Sequence, residues 1–198
     1  MLDMQSARHW ARALQEKALP PGGIAVDATM GNGGDTEALC RLAAAQGQVY
    51  AFDIQPQALF ATRRRLATAG LEERARLYLM GHEQMARVVP PGVDLVVFNL
   101  GWLPGAADKA VTTRAETTLQ ALEAALGLLK KGGLITLCAY PGHAEGAREL
   151  RKVLDWAQGL DGNRVQVMAQ RYLNQSAAPA LIALVKLKES VLRNEDRD

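Results

Sequence analysis

The chain has 198 residues, 48% of them apolar and 22% charged, with a formal net charge of +2. This balance excludes a predominantly disordered chain, and no apolar run approaches the roughly 20 residues needed to span a bilayer. The near-neutral charge neither demands nor excludes a polyanionic partner, because a local basic patch matters more than the total.

The length fits one domain over 1–198, with an N-terminal helix within 1–20 and a flexible tail at 190–198. Met1 to Trp10 shows no apolar signal segment and no cleavage site, which sets a cytoplasmic expectation. Cys40 and Cys138 lie far apart in apolar runs and read as buried thiols.

Taken in chain order, Gln5 to Ala18 is helical, with Trp10, Ala13, Leu14 and Ala18 at helical spacing. Pro20-Pro21-Gly22-Gly23 stops it. Ile24 to Asp27 is a short buried strand, followed by the glycine cluster Gly31-Asn32-Gly33-Gly34 and a helix over Asp35–Ala45. Gln48 to Asp53 is a second strand, and Pro56 opens a helix that runs to Ala69. Ala75–Met80 and Val93–Phe98 are the third and fourth strands. Thr113-x-x-Glu116 has the form of a capping box for a helix to Leu129, closed by Lys130-Lys131-Gly132-Gly133. Leu134–Tyr140 is a fifth strand, Ala144–Gln158 a helix, and Arg164–Tyr172 and Ala180–Lys188 the last two strands.

Strands alternating with helices of this length predict an α/β fold: a mostly parallel seven-stranded sheet, helices on both faces, and an antiparallel C-terminal edge hairpin. In such folds ligands bind beyond the carboxyl ends of the strands, at the switch point. The residues that follow each strand are therefore the ones to read.

After the first strand stands Asp27-Ala28-Thr29-Met30-Gly31-Asn32-Gly33-Gly34-Asp35-Thr36. Glycines between a strand and a helix let the backbone approach a ligand closely. Asp53, at the end of the second strand, is placed to accept hydrogen bonds from both hydroxyls of an adenosine ribose, or to cap the helix at Pro56. A dinucleotide fingerprint wants Gly or Ala where Thr36 stands, and no Gly-Lys-Ser/Thr follows to make a P-loop. Acid, then Gly-x-Gly, then acid is the arrangement of S-adenosylmethionine methyltransferases. There Asp27 and Asp35 would meet an ammonium, whereas phosphate would be repelled by them.

Gly81-His82-Glu83-Gln84-Met85 follows the third strand, in the loop that flanks adenine in such folds, and His82 is placed to stack on or hydrogen-bond the base. Asn99-Leu100-Gly101-Trp102-Leu103-Pro104-Gly105 follows the fourth. Amine methyltransferases carry Asn/Asp-Pro-Pro-Tyr here; Asn99 and Trp102 occupy the corresponding offsets, and the two prolines are missing. Tyr140-Pro141-Gly142-His143 follows the fifth strand; His143 is either a proton acceptor or a helix cap. Basic groups at Arg63-Arg64-Arg65, Arg74 and Arg76, and at Arg148, Arg151 and Lys152, are solvated helix faces or phosphate contacts.

These stretches resemble the rRNA-methylase family whose characterised members are tRNA 5-(aminomethyl)-2-thiouridine methyltransferases (MnmM type). The resemblance also takes in Phe52-Asp53-Ile54-Gln55, Asp108-Lys109, Glu116-Thr117-Thr118 and Asn174-Gln175. It implies a class I, Rossmann-like methyltransferase fold and S-adenosylmethionine as donor. The implied target is the wobble uridine in a tRNA anticodon stem-loop, and the implied assembly is a homodimer, with no metal and no membrane. Met80 stands where an acidic residue is expected, and Trp102 where Tyr is common.

On this reading Asp27, Thr29, Gly31, Asn32, Gly33, Asp35, Thr36, Asp53, Ile54, Gln55, His82 and Gln84 hold the donor, with Asn99 beside them. On the acceptor side, Asn99 orients the amine, Leu100 offers a backbone carbonyl, Trp102 packs on the uracil, and Tyr140 or His143 relays the proton. The rival readings are a methyltransferase for rRNA or another RNA base, and a non-catalytic RNA-binding protein that keeps the fold. An NAD-dependent oxidoreductase is disfavoured by Asp35 and Thr36.

Overall fold

The computed structural model describes residues 5–103 and 111–188. The helices are α1 (Ala7–Ala18), α2 (Gly34–Ala43), α3 (Pro56–Ala69), α4 (Ala115–Leu128) and α5 (Ala144–Gln158). The strands are β1 (Ile24–Asp27), β2 (Gln48–Asp53), β3 (Ala75–Leu79), β4 (Val93–Asn99), β5 (Leu129–Ala139), β6 (Val165–Gln170) and β7 (Ala180–Lys186). Short 3₁₀ turns occupy Glu72–Arg74 and His82–Arg87.

The sheet order is β3-β2-β1-β4-β5-β7-β6. The first five strands of that order run parallel, and β7 is antiparallel to both neighbours. The predicted edge hairpin is present, but its second strand is the inner one, leaving β6 at the edge. The order reverses at β1, which lies between β2 and β4, so the switch point falls between the ends of β1 and β4. Pairing of Asp53 with Leu79, Asp27 with Val97 and Asn99 with Cys138 brings these strand ends to one rim of the sheet.

Period-two alternation divides the core into two faces. Val26, Phe52, Val96, Phe98, Ile135 and Ile182 pack with Leu122 of α4, Val153 of α5 and Met85. Ala25, Val49, Leu95 and Val97 pack with Leu39 of α2 and Leu66 of α3. Covering both faces leaves the carboxyl rim as the accessible part of the parallel strands. Cys40 and Cys138 are buried free thiols.

Three sequence expectations are corrected. The buried stripe of α1 is Ala7, Ala11 and Gln15, whereas Trp10 is 47% exposed. Ala7 and Ala11 seat the helix against Cys138 and Leu181, and Gln15 is satisfied by the Thr136 hydroxyl at 2.9 Å. The capping box does not form: Arg114 is the N-cap of α4 and makes no side-chain cap bond. Glu116 instead pairs with Arg148 and Lys152. Finally, Lys130–Gly133 is part of β5 and not a helix terminator. The register slips there between the Val93 and Leu95 pairs, Gly132 adopts φ +81°, and Lys130 reaches back to Asp94. Among the described residues no helix is long and apolar enough to cross a membrane. The expected tail at 190–198 lies outside the described residues.

Candidate functional site

A cavity of about 630 Å³ opens at the carboxyl rim, lined by the segments that follow β1, β2, β3, β4 and β5. The loop after β1 is shaped by Gly31 and Gly33, at φ +50° and +79°. A Cβ at Gly33 would stand 2.8 Å from the Thr62 backbone, so only glycine lets α3 pack there. The Thr62 hydroxyl in turn donates to the Gly31 carbonyl at 3.1 Å.

Asp53 ends β2 with its carboxylate turned to this loop. One oxygen accepts from the Gly31 amide at 3.1 Å and the other from the Gln55 amide at 3.0 Å. Burial raises its pKa, and the backbone amides oppose that rise. The cap of α3 is Gln55, so the alternative reading of Asp53 as the helix cap fails. Each carboxylate oxygen retains acceptor capacity toward the cavity, which suits a vicinal diol. Ile54, 61% exposed, and Gln55 line the wall beside it.

Asp27 was expected to face the ligand, and it does not. It is 1% exposed, accepting from the Thr36 hydroxyl at 2.6 Å and the Thr29 amide at 3.1 Å. Burial, with Asp35 close by, drives its pKa well above the ordinary carboxylate value. Asp27 and Thr36 are therefore an internal brace for the glycine loop. Gly33 and Gln84 are also absent from the lining; Gln84 donates to Glu83, which lines the cavity in its place.

His82 reaches the cavity wall, but its ring is committed. Nδ1 donates to the Ala28 carbonyl at 3.1 Å, since a carbonyl can only accept, and the ring meets Phe98 edge-on at 5.7 Å. Burial lowers its pKa and favours the neutral form. The ring is thus packed beneath the loop and not free to stack.

The segment after β4 is tied to the loop after β1. The Asn99 amide donates to the Thr29 hydroxyl at 2.7 Å, and the Asn99 side-chain NH₂ donates to Asp35. Asp35 also receives Arg8 of α1 at 3.3 Å. With its nitrogen committed, Asn99 has a carbonyl oxygen that is buried and, among the described residues, without a hydrogen-bond partner. A buried polar atom left unpaired is costly, so this oxygen is an acceptor awaiting a donor. Asp35 and Arg8 together offer one carboxylate and one guanidinium, complementary to an amino-acid zwitterion. The residues present therefore fit a nucleoside bearing an amino-acid tail: carboxylate at the diol, mixed charge at the tail.

Leu100 is buried and lines the cavity, its amide donating to Cys138 at 3.0 Å. Trp102 is 37% exposed, its ring centroid 4.6 Å from that of His143. Tyr140 and His143 complete this wall, with Thr29, Met80 and Asn32 elsewhere in the lining. Burial pushes the Tyr140 hydroxyl up to about 12. His143 is the N-cap of α5, its Nδ1 accepting from the Gly146 amide at 3.2 Å. The cap reading of His143 is thus the one realised.

Arg8 and Arg114 line the wall without a sequence signal, and Arg65, Glu83 and Thr113 join them there. Arg65 donates to the Asn32 carbonyl and Glu37, which fixes one member of the Arg63–Arg65 run. The signal for Thr113 was present but read as a helix cap. Arg8 lies 27 residues from Asp35 and carries no local signal. Residues 104–110, including Pro104, Asp108 and Lys109, lie outside the described residues. Among the described residues no group of three His, Cys, Asp or Glu is placed to hold a metal ion.

Comparison with known proteins bears on this site. The family described as "Putative rRNA methylase" matches residues 49–186. An Arabidopsis thaliana protein named tRNA (mnm(5)s(2)U34)-methyltransferase, chloroplastic, is 37% identical over 192 residues, covering 92% of this chain and 70% of that one. A crystal structure of a "putative rRNA-methylase" from Clostridium thermocellum is 36% identical with a TM-score of 0.91, covering 94% of this chain and all of that one. A Streptococcus mutans "putative methyltransferase" solved in complex with SAH is 34% identical with a TM-score of 0.84, covering 93% of this chain and all of that one. With the class I methyltransferase sheet order and a cavity at the carboxyl rim already in place, the chain belongs to this rRNA-methylase family and is an S-adenosylmethionine-dependent methyltransferase.

Proposed function

We propose that the chain transfers a methyl group to the aminomethyl nitrogen of 5-aminomethyl-2-thiouridine at the tRNA wobble position, giving 5-methylaminomethyl-2-thiouridine. The observation that carries this reading is the Asn99 carbonyl, unpaired among the described residues while Asp35 holds the amide nitrogen, in a cavity that Trp102 also lines. A fixed carbonyl acceptor and an indole in one cavity suit an amine borne on a planar base. The name of the Arabidopsis relative supports the same substrate.

When bound, S-adenosylmethionine supplies a sulfonium methyl whose C–S bond breaks toward sulfur as the amine nitrogen bonds to carbon. Asp53 holds the ribose hydroxyls, and Asp35 with Arg8 holds the amino-acid tail. Asn99 accepts an amine N–H and so aims the nitrogen lone pair, while the Leu100 carbonyl takes the second N–H. Trp102 packs on the uracil. The work of these residues is placement and exclusion of water.

In this reading neither side chain considered for proton relay is assigned as the base. The Tyr140 phenol, with its pKa about 12, is a donor at neutral pH. The free electron pair of His143 Nδ1 is spent on the α5 cap. The amine therefore loses its proton before it seats, and the rate rises with pH through the amine's own titration. The tRNA anticodon stem-loop is the partner in this reading, and the assembly is a homodimer. Light scattering at twice the chain mass supports the dimer; a monomer mass overturns it.

The test is incubation with S-adenosylmethionine and tRNA carrying 5-aminomethyl-2-thiouridine, followed by nucleoside mass spectrometry. A gain of one methyl at the wobble nucleoside supports the reading. Methylation of rRNA alone replaces it with the rival substrate.

A further inference from the structure

Glu149 lies in the second turn of α5, is 2% exposed, and is not part of the cavity wall. Its two carboxylate oxygens accept from two hydroxyls: Oε2 from Thr113 at 2.8 Å and Oε1 from Thr118 at 2.6 Å. Among the described residues no Lys or Arg is ion-paired with it. A carboxylate buried without a cation is expensive, so two hydroxyl donors alone offset its desolvation.

Thr113 carries this anchor to the substrate side. Its hydroxyl hydrogen goes to Glu149, which leaves the oxygen free to accept from the Gly101 amide at 2.8 Å. The Thr113 amide donates back to the Gly101 carbonyl at 3.1 Å. Gly101 is thus clamped on both its backbone groups, at φ +119°, and the neighbouring Trp102 bridges Thr112. Gly101 stands between Leu100 and Trp102, two residues from Asn99.

We propose that Glu149 is a positioning residue for methyl transfer, acting through Thr113 to fix Gly101 and hence the acceptor-side segment Asn99–Trp102. This rests on the substrate-side role assigned above to Asn99 and Trp102. A glutamine at 149 can accept only one of the two hydroxyls, because its amide nitrogen is a donor. One of Thr113 and Thr118 then loses its acceptor, and the pair no longer holds the Thr113 hydroxyl as the carboxylate did.

The experiment compares wild type, Glu149→Gln, Thr113→Val and the double variant. Three quantities are read: hydrogen exchange at the Gly101 amide, donor affinity, and single-turnover methyl transfer. In Glu149→Gln, Gly101 exchange accelerates by about tenfold or more, transfer slows by roughly tenfold, and donor affinity stays within about twofold of wild type. In the Thr113→Val background, Glu149→Gln slows transfer no further, the signature of two residues acting as one unit.

Unchanged Gly101 exchange overturns the proposal, as does donor affinity lost in step with the rate, or two effects that multiply. Should Glu149→Gln fail to fold, Glu149→Asp, which keeps both acceptors one methylene back, is read by the same measurements. Wild type that leaves the wobble nucleoside untouched refutes the substrate reading alone, since Gly101 exchange still decides the role of Glu149.

Discussion

The two halves of the cavity are built by different means. The half assigned to the donor is local: the loop between β1 and α2, shaped by Gly33, and the turn after β2 supply Gly31, Asp53 and Gln55 within short stretches, held mostly by backbone amides. The half assigned to the acceptor is assembled from afar. Asn99 is oriented by Asp35, 64 residues away, and Gly101 by Thr113, itself held by Glu149, 36 residues further on. Apart from Arg8 at the amino-acid tail, the donor's nucleoside part needs only a rigid backbone and one carboxylate, whereas placing a particular nucleophile needs side chains from several elements. The halves should therefore separate in their response to substitution.

The largest effect is expected at Asn99. Asn99→Ala removes the acceptor for the amine, and transfer should fall by about 100-fold, the scale of losing one oriented polar contact to the reacting group. Rapid-quench measurement of transfer checks this. On the donor side, Asp53→Ala should weaken S-adenosylmethionine binding by roughly 10- to 100-fold, since hydrogen bonds to a charged group are worth about 1.5–3 kcal/mol. Calorimetric titration reads it, and unaltered affinity would refute the ribose assignment. Arg8→Ala should weaken the donor by only about threefold to tenfold, because the guanidinium is exposed and already shared with Asp35. An Arg8→Ala affinity equal to wild type would remove α1 from the donor site.

The smallest effect is on stability against pH. The Asp27 carboxyl has a pKa raised above its ordinary 3.8 by burial and by Asp35. The folded chain therefore keeps a proton that the unfolded chain has released. Its contribution makes stability fall as pH rises from near 3.8 toward the raised folded value. Asp27→Asn can still accept from Thr29 and donate to Thr36, so it should flatten that slope without loss of fold. Urea unfolding at several pH values decides it, and an unchanged slope would show that Asp27 is ionised in the folded state.

The same division explains what could be read from the sequence. Strand alternation and the Gly31–Gly33 loop gave the architecture and the place of the glycine loop at the rim, because both are set by residues close in the chain. Asp53 was legible for the same reason. Asp27 was misplaced because its motif position does not tell whether the carboxylate points to the cavity or to Thr36. Thr113 and Glu116 matched the capping-box spacing, yet tertiary partners took both side chains, Glu149 the first and Arg148 with Lys152 the second. Glu149 has no sequence signal, since nothing near it marks one glutamate among many as buried. Trp10 shows the converse: helical spacing was right, but two alanines made the closer fit to the sheet.

The most direct test measures donor affinity and single-turnover transfer to aminomethyl-bearing tRNA in the same preparation of Asn99→Ala. The separation of the two halves predicts affinity within about threefold of wild type and transfer slower by about 100-fold. Donor affinity and transfer lost to the same extent would contradict it, and would place Asn99 in the donor half.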